Sequence, residues 1–270
     1  MSTPTVELAA PTLVADALTV RFAGITALDS VSFSVEPHTI HALIGPNGAG
    51  KSTCFNVLTG VYRATSGTVR LGDAVLTGRR PHEITRLGVG RTFQNIALSP
   101  AQSVLENLMI ARHLLTRSGF IATGLHLRAA TREQQRHQER VREIAEFVGI
   151  ERYLGLPAGL LPYGDQKRVE LARALCLEPR LLLLDEPVAG LNAEESRVMA
   201  LGILAVRETL GLSVLIVEHD MGLVMGIADR VTVLDFGRRI ADGTPAEVQN
   251  DPAVVRAYLG TGRNEPGVSA

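Results

Sequence analysis

The sequence has no tryptophan, and aromatic residues make up only 4% of its 270 residues. Proteins that bind single-stranded nucleic acid stack the bases on aromatic rings, so this scarcity argues against such a function. The formal net charge is -1 at pH 7, and attraction to nucleic acid would therefore require a local basic patch. We expect no nucleic acid partner.

Long apolar runs and cysteines are also scarce. The densest apolar segment, residues 201–217, is broken by Arg207 and Glu208, and a bilayer span needs about 20 apolar residues. The opening segment MSTPTVELAAPTLVADA has no basic start ahead of an apolar stretch, so we expect neither a secretory signal nor a transmembrane helix. Cys54 and Cys176 match no metal spacing, which predicts two reduced thiols in a cytosolic protein.

What is present is typical of a globular α/β protein, with 46% hydrophobic and 20% charged residues. Short β-branched runs fill residues 14–72, a helical pattern fills residues 103–177, and apolar strands alternate with helices from Leu181 onward. Apolar strands that alternate with helices predict a parallel sheet covered on both faces. A mainly helical insert therefore divides an α/β core.

Polar residue pairs predict where several helices begin. A capping residue followed three positions later by glutamate occurs at Ser103 and Glu106, at Asn192 and Glu195, and at Thr244 and Glu247. A charged amphipathic segment at residues 131–148 predicts a longer helix within the insert. Flexible tails are expected at residues 1–12 and 260–270, which are rich in small residues and proline.

The segment LIGPNGAGKST, residues 43–53, carries the strongest functional signal. It fits the pattern G-x-x-x-x-G-K-[ST], and it follows the apolar strand TIHALI and precedes a helix, as a phosphate-binding loop requires. Its glycines let successive backbone N–H groups curl around a polyphosphate, while the helix N-terminus adds roughly half a positive charge. The loop consists of Gly45, Pro46, Asn47, Gly48, Ala49, Gly50, Lys51, Ser52 and Thr53. A dinucleotide-binding G-x-G-x-x-G fails, because Thr53 stands where the third glycine should be.

Phosphate chemistry assigns roles to the end of this loop and to one strand. Lys51 reaches the β- and γ-phosphates, Ser52 ligates Mg²⁺, and Thr53 contacts the α- and β-phosphates. The run LLLLDE at residues 181–186 predicts a buried strand that ends in two acids. Asp185 is expected to hold Mg²⁺ through water, and Glu186 to act as the general base toward the attacking water.

In this combination the chain resembles the ATP-binding subunit of an ABC transporter over residues 13–259. The resemblance implies a P-loop NTPase fold of the ABC ATPase type. Such a fold has a mostly parallel core sheet, an N-terminal antiparallel β subdomain and an inserted helical subdomain, here at about residues 97–177. It also implies ATP and Mg²⁺ as cofactors and ATP hydrolysis as the reaction.

Four further residues receive roles from the resemblance. Gln94 in RTFQN would sense the γ-phosphate and Mg²⁺ and couple to the transmembrane partner, and His219 in LIVEHD would contact the γ-phosphate. Phe22 in TVRFAG would stack on adenine. Asn192 takes the place of the aspartate that normally ends the loop after the catalytic strand.

The sequence departs from the family at its signature segment, residues 161–165, which reads LPYGD where Leu-Ser-Gly-Gly-Gln is usual. In a head-to-tail dimer this segment presses on the ATP held by the other subunit. Pro162 offers neither a hydroxyl nor an amide hydrogen, which leaves Tyr163, Gly164 and the helix N-terminus. Asp165 would repel a phosphate.

Two basic residues, Lys167 and Arg168, follow the signature segment and would offset the charge of Asp165. Two interpretations stay open for this variant segment. Either this half-site is degenerate and the partner supplies the better one, or the segment is a working subfamily variant. We favour the second, because a Tyr-Gly version resembles the ATPases of branched-chain amino-acid importers.

Other segments resemble the same branch, in particular the first of the two ATPases of such an importer. They are GRTFQN, VLENLMIARH, VEHDM and GTPAEVQNDPAVVRAYLG. The resemblance implies a second ATPase subunit in a homo- or heterodimer, two transmembrane permease subunits, and indirectly a solute-binding protein. It places the chain on the cytoplasmic face of the inner membrane as a peripheral subunit.

Three alternatives remain at this point. Urea, amide and aromatic-acid importers use closely similar ATPase subunits. A soluble ATPase of the same fold could serve DNA repair or translation, but such proteins usually carry two cassettes or a coiled-coil arm. A nucleotide-binding regulator without turnover is disfavoured by Glu186.

The helical insert carries apolar residues that exceed what covering a core requires. Phe120, Ile121 and Leu125 lie between basic residues. Our hypothesis is that they line the groove that receives a cytoplasmic helix of the membrane partner.

Overall fold

The structure, a computed structural model, describes residues 10–92, 96–115 and 128–260. It divides into two compact units, one formed by residues 1–81 and 204–270 and the other by residues 82–203. The strands are β1 (Leu13–Phe22), β2 (Ile25–Val35), β3 (Ile40–Ile44), β4 (Ser66–Leu71), β5 (Ala74–Val75), β6 (Val89–Arg91), β7 (Leu181–Asp185), β8 (Ser213–Val217), β9 (Arg230–Asp235) and β10 (Arg238–Gly243).

The helices are longest in the second half of the chain. They are α1 (Lys51–Leu58), α2 (Pro81–Arg86), α3 (Val104–Arg112), α4 (Arg128–Val148), α5 (Tyr163–Leu175), α6 (Ala193–Leu210), α7 (Met221–Ile227), α8 (Pro245–Gln249) and α9 (Pro252–Gly260). Within the described part of the chain, no helix is long and apolar enough to cross a membrane. Cys54 and Cys176 are both free and buried, in agreement with the expectation of two reduced thiols.

The first unit contains the predicted antiparallel subdomain. Strand β1 pairs antiparallel with β2 on one side and β4 on the other, and β5 continues the sheet in the order β2-β1-β4-β5. In β1 the residues Leu13 and Ala15 are buried and Val14 is exposed, the alternation expected of a sheet with one face on the core.

The first unit also holds three strands that run parallel to one another, β3, β8 and β9. Strand β3 lies between β8 and β9 and runs parallel to both, whereas β10 pairs antiparallel with β9. Every residue of β3 and of β8 is buried, because strands of this kind are covered on both faces. The prediction of a mostly parallel core sheet is confirmed.

The second unit contains the helical insert and a pair of parallel strands, β6 and β7. Helix α3 begins at the predicted capping box, in which the Ser103 hydroxyl accepts from the Glu106 N–H and the Glu106 carboxylate accepts from the Ser103 N–H. Helix α4 covers the predicted segment and buries Val141, Ile144 and Ala145 along one face. The three residues of the proposed permease groove, 120, 121 and 125, lie outside the described residues.

Strand β3, which leads into the phosphate-binding loop, contains a buried histidine, His41. The Nε2 of His41 lies 2.8 Å from the Thr232 hydroxyl, which itself donates to Asp242 at 2.7 Å. His41 Nε2 must therefore carry the hydrogen, and among the described residues Nδ1 has no partner. Burial lowers the pKa of His41 to about 4, with a smaller lowering from Arg230 and an opposing effect from Asp242.

This environment makes folding stability depend on pH. Between pH about 6.5, the ordinary value, and about 4, the unfolded chain binds a proton that the folded chain refuses. The stability that neutral His41 contributes is thus complete above pH 6.5 and lost as the pH falls toward 4, on the order of 3 kcal/mol in all. We expect His41→Gln to reduce the loss of unfolding free energy between pH 7 and 4 by about that amount, as measured by urea denaturation.

The exposed histidine His82 on α2 provides the control. His82→Gln should keep the wild-type loss of unfolding free energy over the same pH range. Identical pH profiles for wild type and His41→Gln would contradict the assignment.

Candidate functional site

The phosphate-binding loop connects β3 to α1, and its backbone demands glycine at two positions. Gly45 has a φ of 151°, and a Cβ on it would lie 2.1 Å from the carbonyl oxygen of Leu234. Gly50 has a φ of 101°, and a Cβ there would lie 2.8 Å from the carbonyl oxygen of Ala27. Any side chain at either position would force the loop away from β9 or β2.

The start of α1 is open to a ligand. Gly50 occupies the N-cap position, no side chain caps the helix, and no acidic residue stands in its first turn. The positive dipole end of α1 therefore lies where an anion could bind. Asn47, Gly48 and Ser52 are exposed, Pro46, Gly50 and Thr53 are half-buried, and Ala49 is buried.

Lys51 is folded back over the loop. Its side chain is largely buried, with the residue only 8% exposed, and the ammonium donates to the carbonyl oxygens of Gly45 at 2.6 Å and Pro46 at 2.9 Å. The positive charge thus already stands within the loop that the sequence assigns to phosphate. A polyphosphate that enters the loop would offer stronger acceptors than neutral carbonyls.

The end of β1 presents an aromatic pair at the surface. Phe22 is 43% exposed and Tyr62 is 39% exposed, and their ring centroids lie 5.2 Å apart at an interplanar angle of 73°. The edge-on contact fixes the orientation of the Phe22 ring. Sequence reasoning missed Tyr62, and the only available signal was an aromatic residue in the turn after α1.

His219 follows β8 and is exposed. Its backbone N–H donates to the Glu218 carboxylate at 3.1 Å, and Glu218 is fully buried. Asp220 then caps α7, accepting from the Leu223 N–H at 3.0 Å. The imidazole therefore stands at a fixed turn between a buried strand and a capped helix.

In the second unit, Asp185 ends β7 and is only 4% exposed. Its Oδ2 accepts a hydrogen bond from the Arg91 guanidinium at 2.9 Å, and its backbone N–H donates to the Thr92 hydroxyl at 3.3 Å. Glu186 is half-buried and has a φ of 48°, a left-handed conformation that is uncommon for glutamate. The two acids therefore differ, since Asp185 is anchored and Glu186 begins a sharp turn.

Lys167, which sequence reasoning considered only for its charge, supports that turn. It is buried, and its ammonium donates to the Glu186 carbonyl oxygen at 3.4 Å. The same ammonium lies 5.8 Å from the centre of the Tyr163 ring. The signature segment is thus linked to the residue after Asp185.

The signature segment leads directly into α5, which begins at Tyr163 without a side-chain cap. Gly164 packs so closely against Glu195 that a Cβ would lie 2.7 Å from its Oε1. Asp165 is paired with Arg168 one turn later, so Arg168 offsets its charge as predicted. Tyr163 is 45% exposed.

Asn192 begins α6 through the predicted reciprocal pair. Its side-chain oxygen accepts from the Glu195 N–H at 2.9 Å, while the Glu195 carboxylate accepts from the Asn192 N–H at 3.0 Å. Asn192 itself is exposed. Gln94 lies outside the described residues, so its role stays a prediction.

The donor set fits ATP and Mg²⁺. Within the described residues, no group of three or more His, Cys, Asp or Glu side chains could hold a metal ion by itself. In the second unit Asp185 offers a carboxylate oxygen, and in the first unit Ser52 offers a hydroxyl oxygen; each is a hard ligand of the kind that Mg²⁺ takes together with phosphate oxygens and water. The exposed Ser52 hydroxyl at the start of α1 suits that arrangement.

Comparison with known proteins agrees with this geometry. A family model described as ABC transporter matches residues 28–189, more than half of the chain. A second model, described as branched-chain amino acid ATP-binding cassette transporter, matches residues 238–264, which contain α8 and α9.

Relatives match along nearly their whole length. The high-affinity branched-chain amino acid transport ATP-binding protein LivG of Escherichia coli K12 is 42% identical over 250 residues, which are 93% of this chain and 98% of that protein. The protein BraF of Pseudomonas aeruginosa, described in the same words, is 41% identical over the same shares.

Solved structures of ATP-binding cassettes from ABC transporters superpose closely. One nucleotide-free cassette has a TM-score of 0.80 at 30% identity and covers 92% of this chain and 98% of its own. Another, in its ADP conformation, has a TM-score of 0.81 at 31% identity and covers 93% and 99%. The chain therefore belongs to the ABC transporter family and is one of its ATP-binding cassettes.

Proposed function

We propose that this chain is the ATP-hydrolysing subunit of an importer for branched-chain amino acids or a related small polar solute. The observation that carries the solute class is the match of residues 238–264 to a model of branched-chain amino acid cassettes. The LivG and BraF relatives, aligned over 93% of the chain, support it. The working position is the cytoplasmic face of the inner membrane.

Nucleotide binding draws on the loop and the aromatic pair. Phe22 stacks on adenine, the N–H groups of the loop bind the phosphates, and Lys51 exchanges the Gly45 and Pro46 carbonyls for the β- and γ-phosphates. Thr53 contacts the α- and β-phosphates. Ser52, Asp185 and Gln94 are the residues that would hold Mg²⁺, and the ion would neutralise the charge that develops on the phosphates.

Hydrolysis rests on positioning and electrostatics rather than on a covalent step. Glu186 orients the attacking water and accepts its proton, and His219 donates to the γ-phosphate. The Lys167 ammonium holds the backbone carbonyl of Glu186. This contact restricts the positions that the Glu186 carboxylate can reach. Product release then reopens the site.

The cycle needs a second ATPase subunit, arranged head to tail. The ATP of that partner would be faced by Tyr163, Gly164 and the N-terminus of α5. Asn192, at the start of α6, would lie near the same ATP. Pairing of Asp165 with Arg168 removes the repulsion that an unpaired carboxylate would exert on phosphate, which favours a working variant over a degenerate half-site. Gln94 and the helical insert would couple closure to two permease subunits that accept solute from a binding protein.

The general-base role predicts a specific loss in Glu186→Gln. The amide is nearly the same size but cannot accept a proton, so release of phosphate from ATP should fall by about 100-fold or more. The affinity for ATP with Mg²⁺ should stay within a few-fold of wild type. Phosphate release and calorimetric titration measure the two quantities.

Two further variants complete that experiment. Glu194→Gln removes an exposed glutamate of α6 whose partner is Arg197 and should keep the wild-type rate, whereas Lys51→Ala should lose ATP binding. Equal rates in wild type and Glu186→Gln, with and without the membrane partner, would show that the chain is not an enzyme.

The aromatic pair predicts a base-specific effect. Phe22→Ala should weaken ATP binding by about tenfold, the loss of one stacked base, and Tyr62→Ala by a few-fold because the Phe22 ring loses its edge contact. Tyr62→Phe keeps that contact and should bind ATP like the wild type. Fluorescence titration against both ATP and inorganic tripolyphosphate measures these affinities, and tripolyphosphate binding should not change. An equal loss for both ligands would mean that the pair supports the loop instead of the base.

The solute class is tested by uptake in the host organism. Deletion of the gene for this chain should abolish high-affinity uptake of radiolabelled leucine, isoleucine and valine and leave urea uptake intact. The wild-type gene should restore uptake, and Glu186→Gln should not. Loss of urea or amide uptake alone would assign the subunit to one of those importers, and no transport defect at all would favour a soluble ATPase.

A further inference from the structure

The roles proposed above do not account for Arg91, whose guanidinium is bound to the carboxylate proposed to hold Mg²⁺. The N–O distance is 2.9 Å, and the side chains of Arg91 and Asp185 are only 14% and 6% exposed. We propose that Arg91 is a positioning residue: it holds one carboxylate oxygen of Asp185 and so leaves the other oxygen to accept a hydrogen bond from a water bound to the metal. This inference rests on the function proposed above.

The pairing of two neighbouring strands delivers Arg91 to this place. Strands β6 and β7 run parallel, with Arg91 opposite Leu183. The N–H of Thr92 donates to the Leu183 carbonyl at 2.9 Å, and the N–H of Asp185 donates to the Thr92 hydroxyl at 3.3 Å. Consecutive residues at the end of β6 therefore hold Asp185 by its side chain and by its backbone.

The arrangement leaves one carboxylate oxygen for the metal. Among the described residues, the hydrogen bonds to the Asp185 carboxylate reach Oδ2 and none reaches Oδ1. A buried carboxylate without a partner is costly, and one held at a single point can rotate. With Oδ2 bound to Arg91 and the backbone N–H bound to Thr92, rotation of the carboxylate is restricted, and Oδ1 is the oxygen that can accept from a metal-bound water.

An opposite effect competes with this one. The guanidinium and Mg²⁺ carry like charges and repel each other across the carboxylate. If repulsion dominated, removal of Arg91 would strengthen Mg²⁺-dependent binding. If positioning dominates, removal weakens it, as is typical for partners that orient metal ligands.

The test compares nucleotide affinity with and without the metal. Fluorescent N-methylanthraniloyl-ATP is titrated into folded protein in EDTA and in excess Mg²⁺, and the ratio of the two dissociation constants measures the contribution of Mg²⁺. We expect Arg91→Met to reduce this ratio by about tenfold or more and to leave the EDTA affinity unchanged. Arg91→Lys, which keeps the charge but not the planar fork, should fall between Arg91→Met and wild type.

Arg197 supplies the matched control, because it is an exposed arginine on α6 that pairs with Glu194. Arg197→Met should keep the wild-type ratio. If Arg91→Met does not fold, Arg91→Lys decides, and a wild-type ratio in that variant overturns the inference. An unchanged or increased ratio in folded Arg91→Met also overturns it.

The wild-type control separates this inference from the proposed function. A wild type whose nucleotide binding gains nothing from Mg²⁺ would defeat the proposed function and this inference with it. A normal wild-type ratio that Arg91→Met leaves unchanged would defeat only the role of Arg91.

Discussion

The close approach of the phosphate loop to the end of β9 is the constraint on which the nucleotide site depends. The absent side chain of Gly45 lets the loop pass the Leu234 carbonyl at a distance that no Cβ allows. The loop can then return to start α1 with its N–H groups uncapped. Strand β3, buried along its whole length, supplies the rigid base from which the loop departs. The path of the backbone thus sets up the phosphate site, because it leaves the start of α1 without a side-chain cap, and Lys51 adds a positive charge.

In the second unit, two carboxylates near the proposed site are each paired with an arginine. The Asp185 carboxylate is buried and has its own arginine, and the Asp165 carboxylate near the signature segment also has one. Each pair lies within one unit of the chain, so each acid is compensated before any ligand arrives. The unusual signature segment therefore brings a tyrosine and a proline to the helix start but no uncompensated negative charge.

Features that depend on residues close together in the sequence were predictable. The glycine spacing of the loop, the apolar run before Asp185 and the reciprocal caps at Ser103, Asn192 and Thr244 depend on residues within a few positions of one another. The three caps form as expected. The fold class followed from the alternation of apolar strands with helices.

Contacts between distant residues were not predictable. Arg91 lies 94 positions from Asp185, and Lys167 lies 19 positions from Glu186. No periodicity or motif in the sequence joins either pair, because strand register and helix rotation create both contacts. Tyr62 was missed for the same reason, since it lies in the turn after α1 and its partner Phe22 lies 40 positions earlier, at the end of β1. Each of these missed residues contacts a residue that the sequence did predict. Motifs therefore identified the residues of the site but not the residues that hold them in place.

The left-handed backbone at Glu186 has a consequence for what this chain is built to do. Glycine or asparagine would adopt a φ of 48° with less strain than glutamate, whose penalty in that region is on the order of 1 kcal/mol. Glu178 adopts a similar φ of 50°, so this conformation does not by itself identify a catalytic residue. Under the function proposed above, the same conformation turns the chain directly after Asp185 and places the general base at that turn.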